Sequence, residues 1–278
     1  MNQPDIATWS VSEKLRFLDT IVQTEACWSH EEELVVLLQD PDPSVRVRAA
    51  VCFWELANPV HLDLLLELAL HDPDAFVRTA VITALGRYVY EGFVLEDIDE
   101  IDFNRVKSAL LEIHKDPASP LAHRCAALEG LGFITDDEIE ALIRDAYAQP
   151  DKLQKISALF AMGRSGTRAW DNILVKELRN PDSEIRFEAV RAAGETYLQA
   201  GAETLEKLTG DPDRDMQLAA IEALGKAGRP QSRAVLERLC SSPDEDVRDA
   251  ATAALEDLEM FESELAADTD GGDEPAWT

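Results

Sequence analysis

One short pattern recurs along this chain and limits what it can fold into. It is a proline between small polar or acidic residues, followed by apolar and small residues at helical spacing, as in HDPDAFVRTAVITALGRY at 71–88. The marker prolines lie 32, 47, 30, 31, 31 and 31 residues apart, at Pro41, Pro73, Pro120, Pro150, Pro181, Pro212 and Pro243. Self-similarity at a nearly fixed period predicts an array of structural repeats.

Each copy of the pattern begins with residues that are typical of a helix N-terminus. The residue before the proline accepts backbone N–H groups well at an N-cap, and a proline in the first helical position loses nothing by lacking a donor. We therefore expect these N-caps: Asp40, Asp72, Asn180, Asp211 and Ser242. The acidic residue after each proline suits the positive end of the helix dipole. The Asp-Pro-Asp pattern is thus interpreted as structural rather than catalytic.

A second amphipathic segment precedes each copy, for example at 31–39, 60–70 and 137–147. Each unit is therefore predicted to contain a helix A, a short turn and a helix B. Neither helix can bury its apolar stripe alone, so neighbouring units must stack. The predicted fold class is all-α, an α-α superhelix or solenoid of about seven two-helix repeats.

Three segments depart from the repeat, which gives the predicted domain organisation. Residues 1–28 are expected to form an N-terminal capping helix, and 29–260 the repeat array. An insertion near 89–103 carries six carboxylates and is interpreted either as a partner-binding loop or as a solvated loop without a special role. Residues 261–278 are acidic and are predicted to be disordered, with Trp277 as either a partner anchor or part of a frayed end.

The charge of the chain restricts its partners. Its 55 Asp and Glu residues against 26 Lys and Arg residues give a formal net charge of −29. Such a surface repels phosphate groups, so nucleic acids and anionic membranes are not expected as ligands. It favours a basic protein partner, although a demanding habitat could also select for acidity. The four cysteines lack metal or C-x-x-C spacing, and no targeting or membrane segment is evident, so we expect a cytoplasmic protein with free thiols.

Motifs that would indicate catalysis are missing from the sequence. It contains no nucleophile-elbow, phosphate-loop or Cys/His metal pattern, and His30-Glu31 is its single His-Glu pair. One such pair cannot make a di-iron site. The sequence therefore predicts no catalytic residues, no metal and no cofactor, and a protein that is not an enzyme.

The repeats resemble the HEAT repeat family, and in particular its short-period members of the phycobilisome lyase type. The resemblance rests on the Asp-Pro-Asp starts, on Val-Arg pairs such as Val77-Arg78, and on Ala-Leu-Gly ends such as Ala223-Leu224-Gly225. It implies a scaffold that binds other proteins. It also implies a structural ladder between neighbouring repeats, formed by Arg46, Arg78, Arg124, Lys155, Arg186 and Arg248, which Gln217 would interrupt.

The B helices of such arrays line a concave surface, where partner-binding positions are expected. The predicted concave ridge comprises Val47, Val51, Trp54, Thr79, Thr83, Ile156, Phe160, Phe187 and Arg191. These side chains could instead pack between adjacent repeats, and both interpretations stay open. The predicted function is a non-enzymatic scaffold or adapter that binds a basic or amphipathic protein segment on an acidic-rimmed surface. The alternative, implied by the resemblance, is an accessory subunit of a bilin lyase-type chromophore attachment system.

Overall fold

The computed structural model describes residues 6–227, 229 and 232–270, and it describes side-chain surroundings up to residue 260. Within these residues the regular structure is helical and comprises fifteen α-helices joined by short turns. The chain divides into two compact units, Met1–Ala146 and Tyr147–Thr278. No described helix is long and apolar enough to cross a membrane.

The first unit contains eight helices, the last of which ends two residues into the second unit. Their bounds are α1 Val11–Gln23, α2 Glu31–Leu37, α3 Pro43–Cys52, α4 Leu62–His71, α5 Ala75–Phe93, α6 Glu100–Lys115, α7 Leu121–Leu131 and α8 Asp137–Ala148. The second unit contains the remaining seven. They are α9 Lys152–Arg164, α10 Asp171–Glu177, α11 Ser183–Glu195, α12 Ala202–Leu208, α13 Arg214–Ala227, α14 Arg233–Leu239 and α15 Glu245–Asp270.

The helices from α2 onward alternate as predicted between A and B. The A helices are α2, α4, α6, α8, α10, α12 and α14, and each is followed by the B helix that begins after a marker proline. Seven two-helix repeats thus occupy the described residues, and the predicted all-α solenoid class is confirmed. Helix α1 stands before the first repeat and packs on α3.

The helix starts lie two residues later than the sequence suggested. The second acidic residue of the pattern is the N-cap: Asp74 accepts from the backbone N–H groups of Phe76 and Val77. The first one, Asp72, accepts from the N–H of Asp74 at 2.9 Å, which closes a tight turn around the proline. The expectation that Asp40, Asp72, Asn180, Asp211 and Ser242 are N-caps was therefore wrong, because short polar side chains also bond the backbone two residues on.

Successive B helices pack closely because small residues face each other. In the first unit, a Cβ on Gly130 of α7 would lie 3.1 Å from the Cα of Gly86 on α5. In the second unit, a Cβ on Gly225 of α13 would lie 2.6 Å from the Cα and carbonyl oxygen of Ala254 on α15. Within the units, B helices also pack on A helices of their own repeat, as α5 packs on α4 and α13 on α12. Leu65 of α4 and Leu85 of α5 are fully buried. The core is therefore a continuous layer between A and B helices within each unit.

The insertion near 89–103 is largely helical rather than a long loop. It extends α5 to Phe93 and contributes the first turn of α6, which leaves six connecting residues at 94–99. The stacked rings of Phe93 and Phe103, 6.3 Å apart, and the buried side chain of Ile98 hold the two helices together. Apolar contacts thus convert most of the insertion into longer helices.

The C-terminal helix extends beyond the predicted end of the array. Helix α15 continues to Asp270, ten residues into the segment that the sequence predicted to be disordered. The added residues include several Ala, Glu and Leu, which favour helix. Residues 271–278, including Trp277, lie outside the described part of the chain.

Candidate functional site

The clearest link between neighbouring repeats in the first unit is a buried ion pair. Arg46 of α3 donates from Nε and Nη2 to the two carboxylate oxygens of Asp72, both at 2.8 Å. The side chains are 10% and 2% exposed, so water does little to screen them. Burial alone would raise the pKa of Asp72, but the hydrogen bonds and charge of Arg46 outweigh it and hold that pKa below its ordinary value.

A second pair of the same kind involves a residue that the sequence analysis did not select. Lys14 of α1 contacts Asp40 at 2.6 Å, and both side chains are almost completely buried. Lys14 lies four residues after the N-cap Ser10, as Arg46 lies four residues after the N-cap Asp42. This shared position relative to the N-cap is the sequence feature that could have identified Lys14. We call these two pairs, Lys14–Asp40 and Arg46–Asp72, the buried ladder.

The other predicted ladder residues bind mainly within their own repeat. Arg78, Arg186 and Arg248 each donate from Nη1 to a carbonyl oxygen of the turn before their own helix, those of Asp72, Asn180 and Ser242. Arg124 donates to the carbonyl oxygen of His114, and Lys155 lies 5.2 Å from the ring centre of Tyr147. Gln217 makes the same kind of bond, to the carbonyl oxygen of Thr209 at 2.9 Å. The position therefore closes the A–B turn, and only at Arg46 do the described contacts also reach the next repeat.

The most developed surface feature in the second unit is a groove across its B helices. One cavity of about 320 Å³ is lined by Ile156 of α9, Phe187 of α11 and Met216 of α13, among others. A second cavity of about 530 Å³ continues from Phe187 and Arg191 across α13 to α15. A third, of about 180 Å³, adjoins it at Arg191. We call these three adjoining cavities the B-helix groove.

The floor of the B-helix groove is apolar and its rim is acidic. Ile156, Phe187, Leu218 and alanines of α13 and α15 supply apolar surface. Arg191 is the single basic residue in the lining of the first two cavities. Seven carboxylates line the same two cavities: Glu184, Glu188, Asp213, Asp215, Glu222, Asp246 and Asp257. In the third cavity, burial raises the pKa of Glu195 despite the nearby cations Arg191, Arg164 and Lys226. The groove therefore has a negative potential over an apolar base.

Phe160 is covered by cations. The guanidinium of Arg164 lies 4.3 Å and that of Arg191 lies 5.2 Å from the centre of its ring. Arg191 also contacts the carboxylate of Glu188 at 3.4 Å. Cations above an aromatic face are stabilised by the ring quadrupole. These arginines place positive charge beside the acidic groove.

The structure distributes the predicted ridge residues between the two units. Ile156, Phe160 and Phe187 are half-buried and Arg191 is exposed, and all four lie on or beside the B-helix groove. In the first unit, Val51 and Thr83 are exposed, and Val47, Trp54 and Thr79 are half-buried. The hydroxyls of Thr79 and Thr83 donate to carbonyl oxygens one turn earlier in α5. Partial burial is compatible with both interpretations made from the sequence, packing and partner contact.

An aromatic group in the first unit was missed from the sequence. Tyr90 of α5 lies 5.1 Å from the ring of Phe133, and Arg87 lies 5.0 Å above Tyr90 while pairing with Glu91. Tyr90 and Phe133 fall just after the helical stretch that the repeat pattern covers, so the pattern alone did not point to them.

Metal and thiol chemistry receive no support from the geometry. Among the described residues, no cluster of three or more His, Cys, Asp or Glu side chains could hold a metal ion. The four cysteines are unpaired as disulfides, and burial raises the pKa of the Cys27 thiol.

Stacked A–B helix pairs with a groove across the B helices define a helical-repeat protein. The model for HEAT repeats matches residues 31–96 and 171–256, which is more than half of the chain. The chain therefore belongs to the HEAT repeat family. No curated protein matches it.

Among solved structures, the complex of CpcE and CpcF of phycocyanin lyase from Nostoc sp. PCC7120 is similar, with 18% sequence identity and a TM-score of 0.54. The match covers 82% of this chain and 94% of that one. At this identity the likeness shows the fold alone. A designed armadillo repeat protein in complex with the peptide (KR)4 matches at 19% identity, with coverage of 71% and 99% and a TM-score of 0.46. Human deoxyhypusine hydroxylase matches at 16% identity, with coverage of 91% and 92% and a TM-score of 0.41.

Proposed function

We propose that this protein is a non-enzymatic interaction scaffold that holds a segment of a partner protein in the B-helix groove. The observation that carries the proposal is the groove itself, an exposed apolar floor beneath a rim of seven carboxylates. HEAT repeats are quasi-one-dimensional stacks whose long surfaces suit extended ligands, and membership of that family agrees with a binding role.

The partner segment is a basic or amphipathic one. Apolar side chains of the segment would cover Ile156, Phe187 and Leu218, and its cations would face the acidic rim. The net charge of −29 would accelerate the encounter with such a segment, most strongly at low salt. Further contacts are proposed at the ridge positions of the first unit: Val47, Val51, Trp54, Thr79 and Thr83. We place this activity in the cytoplasm, where the free thiols would stay reduced.

The test is capture of the partner by variants of the groove. The double variant Phe160→Ser/Phe187→Ser removes two half-buried rings, and Val60→Ser is a matched control because Val60 is 80% exposed and lies before α4. Tagged full-length proteins are used to recover partners from the native cell, and the bound segment is located by cross-linking and mass spectrometry. We expect capture by the wild type and by Val60→Ser, with a loss of at least about tenfold in the double variant.

Circular dichroism and thermal unfolding of the same variants distinguish binding from folding. A double variant that keeps its helicity but loses the partner supports the groove. Capture that persists with the rings removed, or a cross-linked segment that lies elsewhere, contradicts it. Unfolding of the double variant would show that the rings are packing residues, and Leu218→Ser then serves as the second probe.

A second candidate is an accessory subunit of a bilin lyase-type chromophore attachment system. The structural likeness to the phycocyanin lyase complex favours it, although that likeness concerns the fold. Such a subunit would act with a homologous partner chain. Mixing the protein with a free bilin, alone and with a candidate second subunit, should then shift the visible absorption of the bilin. An unchanged spectrum in both mixtures would contradict this candidate.

A further inference from the structure

The exposed face of the second unit carries cations that cross from one repeat to the next. Lys152 of α9 contacts Asp182 at 2.9 Å and Glu184 at 2.7 Å. Arg214 of α13 contacts both Asp244 and Asp246, the latter at 3.0 Å. In each set the cation immediately follows an N-cap position, and its carboxylates lie 30 and 32 residues later. We call these two sets the exposed ladder.

The repeat between these two sets keeps the carboxylates but lacks the cation. Ser183 of α11 occupies the position equivalent to Lys152 and Arg214, and the residues 30 and 32 positions later are Asp213 and Asp215. Within the part of the chain that the structure describes, no Lys or Arg pairs with either of these two carboxylates. The short side chain of serine cannot span the distance that lysine and arginine span in the neighbouring repeats. One position of the exposed ladder is therefore open.

The open position lies inside the B-helix groove. Ser183, Asp213 and Asp215 line its first cavity together with the apolar side chains of Ile156 and Phe187. The cavity of about 320 Å³ has room for a long side chain and for part of the residue beside it. A guanidinium suits two carboxylates better than an ammonium does, because its fork of N–H groups can bond both at once. One repeat later Arg214 contacts two such carboxylates, both from its Nη2 atom, and one repeat earlier Lys152 contacts its two from Nζ.

We propose that the open ladder position is a specificity pocket for an arginine side chain of the partner segment, with an adjacent apolar residue seated on Phe187 and Ile156. The incoming guanidinium takes the place that Lys152 and Arg214 fill from within the chain, and bonds Asp213 and Asp215. This inference rests on the proposed scaffold function and specifies the chemistry that its groove selects. It predicts a preference for arginine that a uniformly acidic surface would not have.

The test fills the open ladder position with an arginine of the chain itself. In Ser183→Arg the new side chain can reach Asp213 and Asp215 as Arg214 reaches its own pair, whereas the matched variant Val60→Arg adds the same charge at an exposed residue outside the groove. The probe is a fluorescein-labelled peptide of nine residues with a central arginine, leucines beside it and alanines elsewhere. A second peptide carries citrulline, the neutral analogue of arginine, at the centre. Binding is measured by fluorescence anisotropy on full-length protein at low salt.

We expect the arginine peptide to bind the wild type and Val60→Arg equally, and Ser183→Arg about tenfold more weakly. Asp215→Asn, which changes an exposed carboxylate, should weaken binding to a similar degree while leaving the fold intact. The citrulline peptide should lose about tenfold on the wild type. Equal affinity for the two peptides, or unchanged binding by Ser183→Arg, would overturn the inference.

The native partner separates this inference from the proposed function. Capture that is lost on removing Phe160 and Phe187 but unaffected by Ser183→Arg leaves the scaffold intact and contradicts the arginine pocket. Capture that depends on none of these residues contradicts the proposed function.

Discussion

Among the described residues, the buried ion pairs between repeats lie in the first unit, which also has exposed ones such as Lys115–Glu138, whereas the exposed ladder lies in the second. In the first unit the buried ladder joins Lys14 to Asp40 and Arg46 to Asp72, with side chains that are 10% exposed or less. In the second unit the exposed ladder joins Lys152 and Arg214 to carboxylates on the surface, whose side chains are 36% exposed or more. At the position where the first unit has Asp40 and Asp72, the second has Asn180 and Ser242 in two of its repeats.

This difference implies that the buried pairs serve the stability of the fold, whereas the exposed pairs can vary and serve recognition. Removing one partner of a buried pair leaves an uncompensated charge away from water, which is strongly destabilising. An exposed pair contributes little to folding, so its loss is tolerated. A surface ladder can therefore lose a cation, as at Ser183, and leave its carboxylates available to another molecule. A buried ladder cannot vary in this way.

The largest expected effect comes from breaking the buried ladder. Arg46→Met keeps most of the side-chain volume but leaves the carboxylate of Asp72 buried without its cation. We expect a loss of about 3–5 kcal/mol in the free energy of unfolding, measured by urea denaturation followed by circular dichroism. The matched variant is Arg186→Met, which removes bonds to the carbonyl oxygens of Asn180 and Pro181 and should cost only about 1 kcal/mol. Equal losses would contradict the comparison.

Acid should reduce the difference between the wild type and Arg46→Met. Burial raises the pKa of Asp72, but Arg46, together with the Asp74 N–H and the charge of Arg78, keeps that pKa low, so the ionised carboxylate stabilises the folded state. That contribution is complete above the unfolded pKa of about 3.9 and is lost as the pH falls through the lower folded pKa. Urea midpoints of both proteins, measured from about pH 6 down to about pH 2, should converge. A constant difference would show that Arg46 stabilises the fold by packing rather than by charge.

The smallest effect is expected from the exposed ladder. Lys152→Ser removes the cation that contacts Asp182 and Glu184, and in doing so reproduces the serine found at position 183. We expect a change of at most about 1 kcal/mol at low salt, which disappears at about 1 M salt because exposed charges are screened. The same variant opens a second position in the ladder. A loss as large as that of Arg46→Met would remove the distinction between the two units.

The repeat spacing was sufficient to predict the fold class and the seven helix pairs. It was not sufficient to place the N-caps, because in Asp-Pro-Asp either acid can bond a backbone N–H, and only the path of the turn assigns Asp74 to the helix and Asp72 to the turn. The insertion was interpreted as a loop because an insertion into a repeat array usually maps to a loop on one face. In the structure most of the insertion is helical. Phe93 and Phe103, which hold its two helices together, lie on different helices, so the pattern of a single helix did not reveal their contact.

The candidate site was predictable in part. The face of the B helices follows from helical periodicity, which is why Ile156, Phe187 and Arg191 were predicted for the ridge; they line the B-helix groove, and their role in partner binding stays a prediction. Periodicity does not predict which partner the long side chain of an arginine or lysine reaches. Arg46 and Arg186 occupy equivalent positions, yet the first reaches a carboxylate of the next repeat and the second reaches carbonyl oxygens of its own. The open position at Ser183 required knowing which carboxylates Lys152 and Arg214 contact.

The spacing of the exposed ladder also bears on how such a chain can gain or lose repeats. A deletion of one period, Ser183–Asp213, would join Asp182 to Arg214. Lys152 would then face Asp182 and Asp215, and Arg214 would keep Asp244 and Asp246. The shortened chain would have an uninterrupted row of internal pairs and no vacancy for a foreign arginine. Selectivity in this protein would thus be a property that one deletion can erase, without any change in the rest of the array.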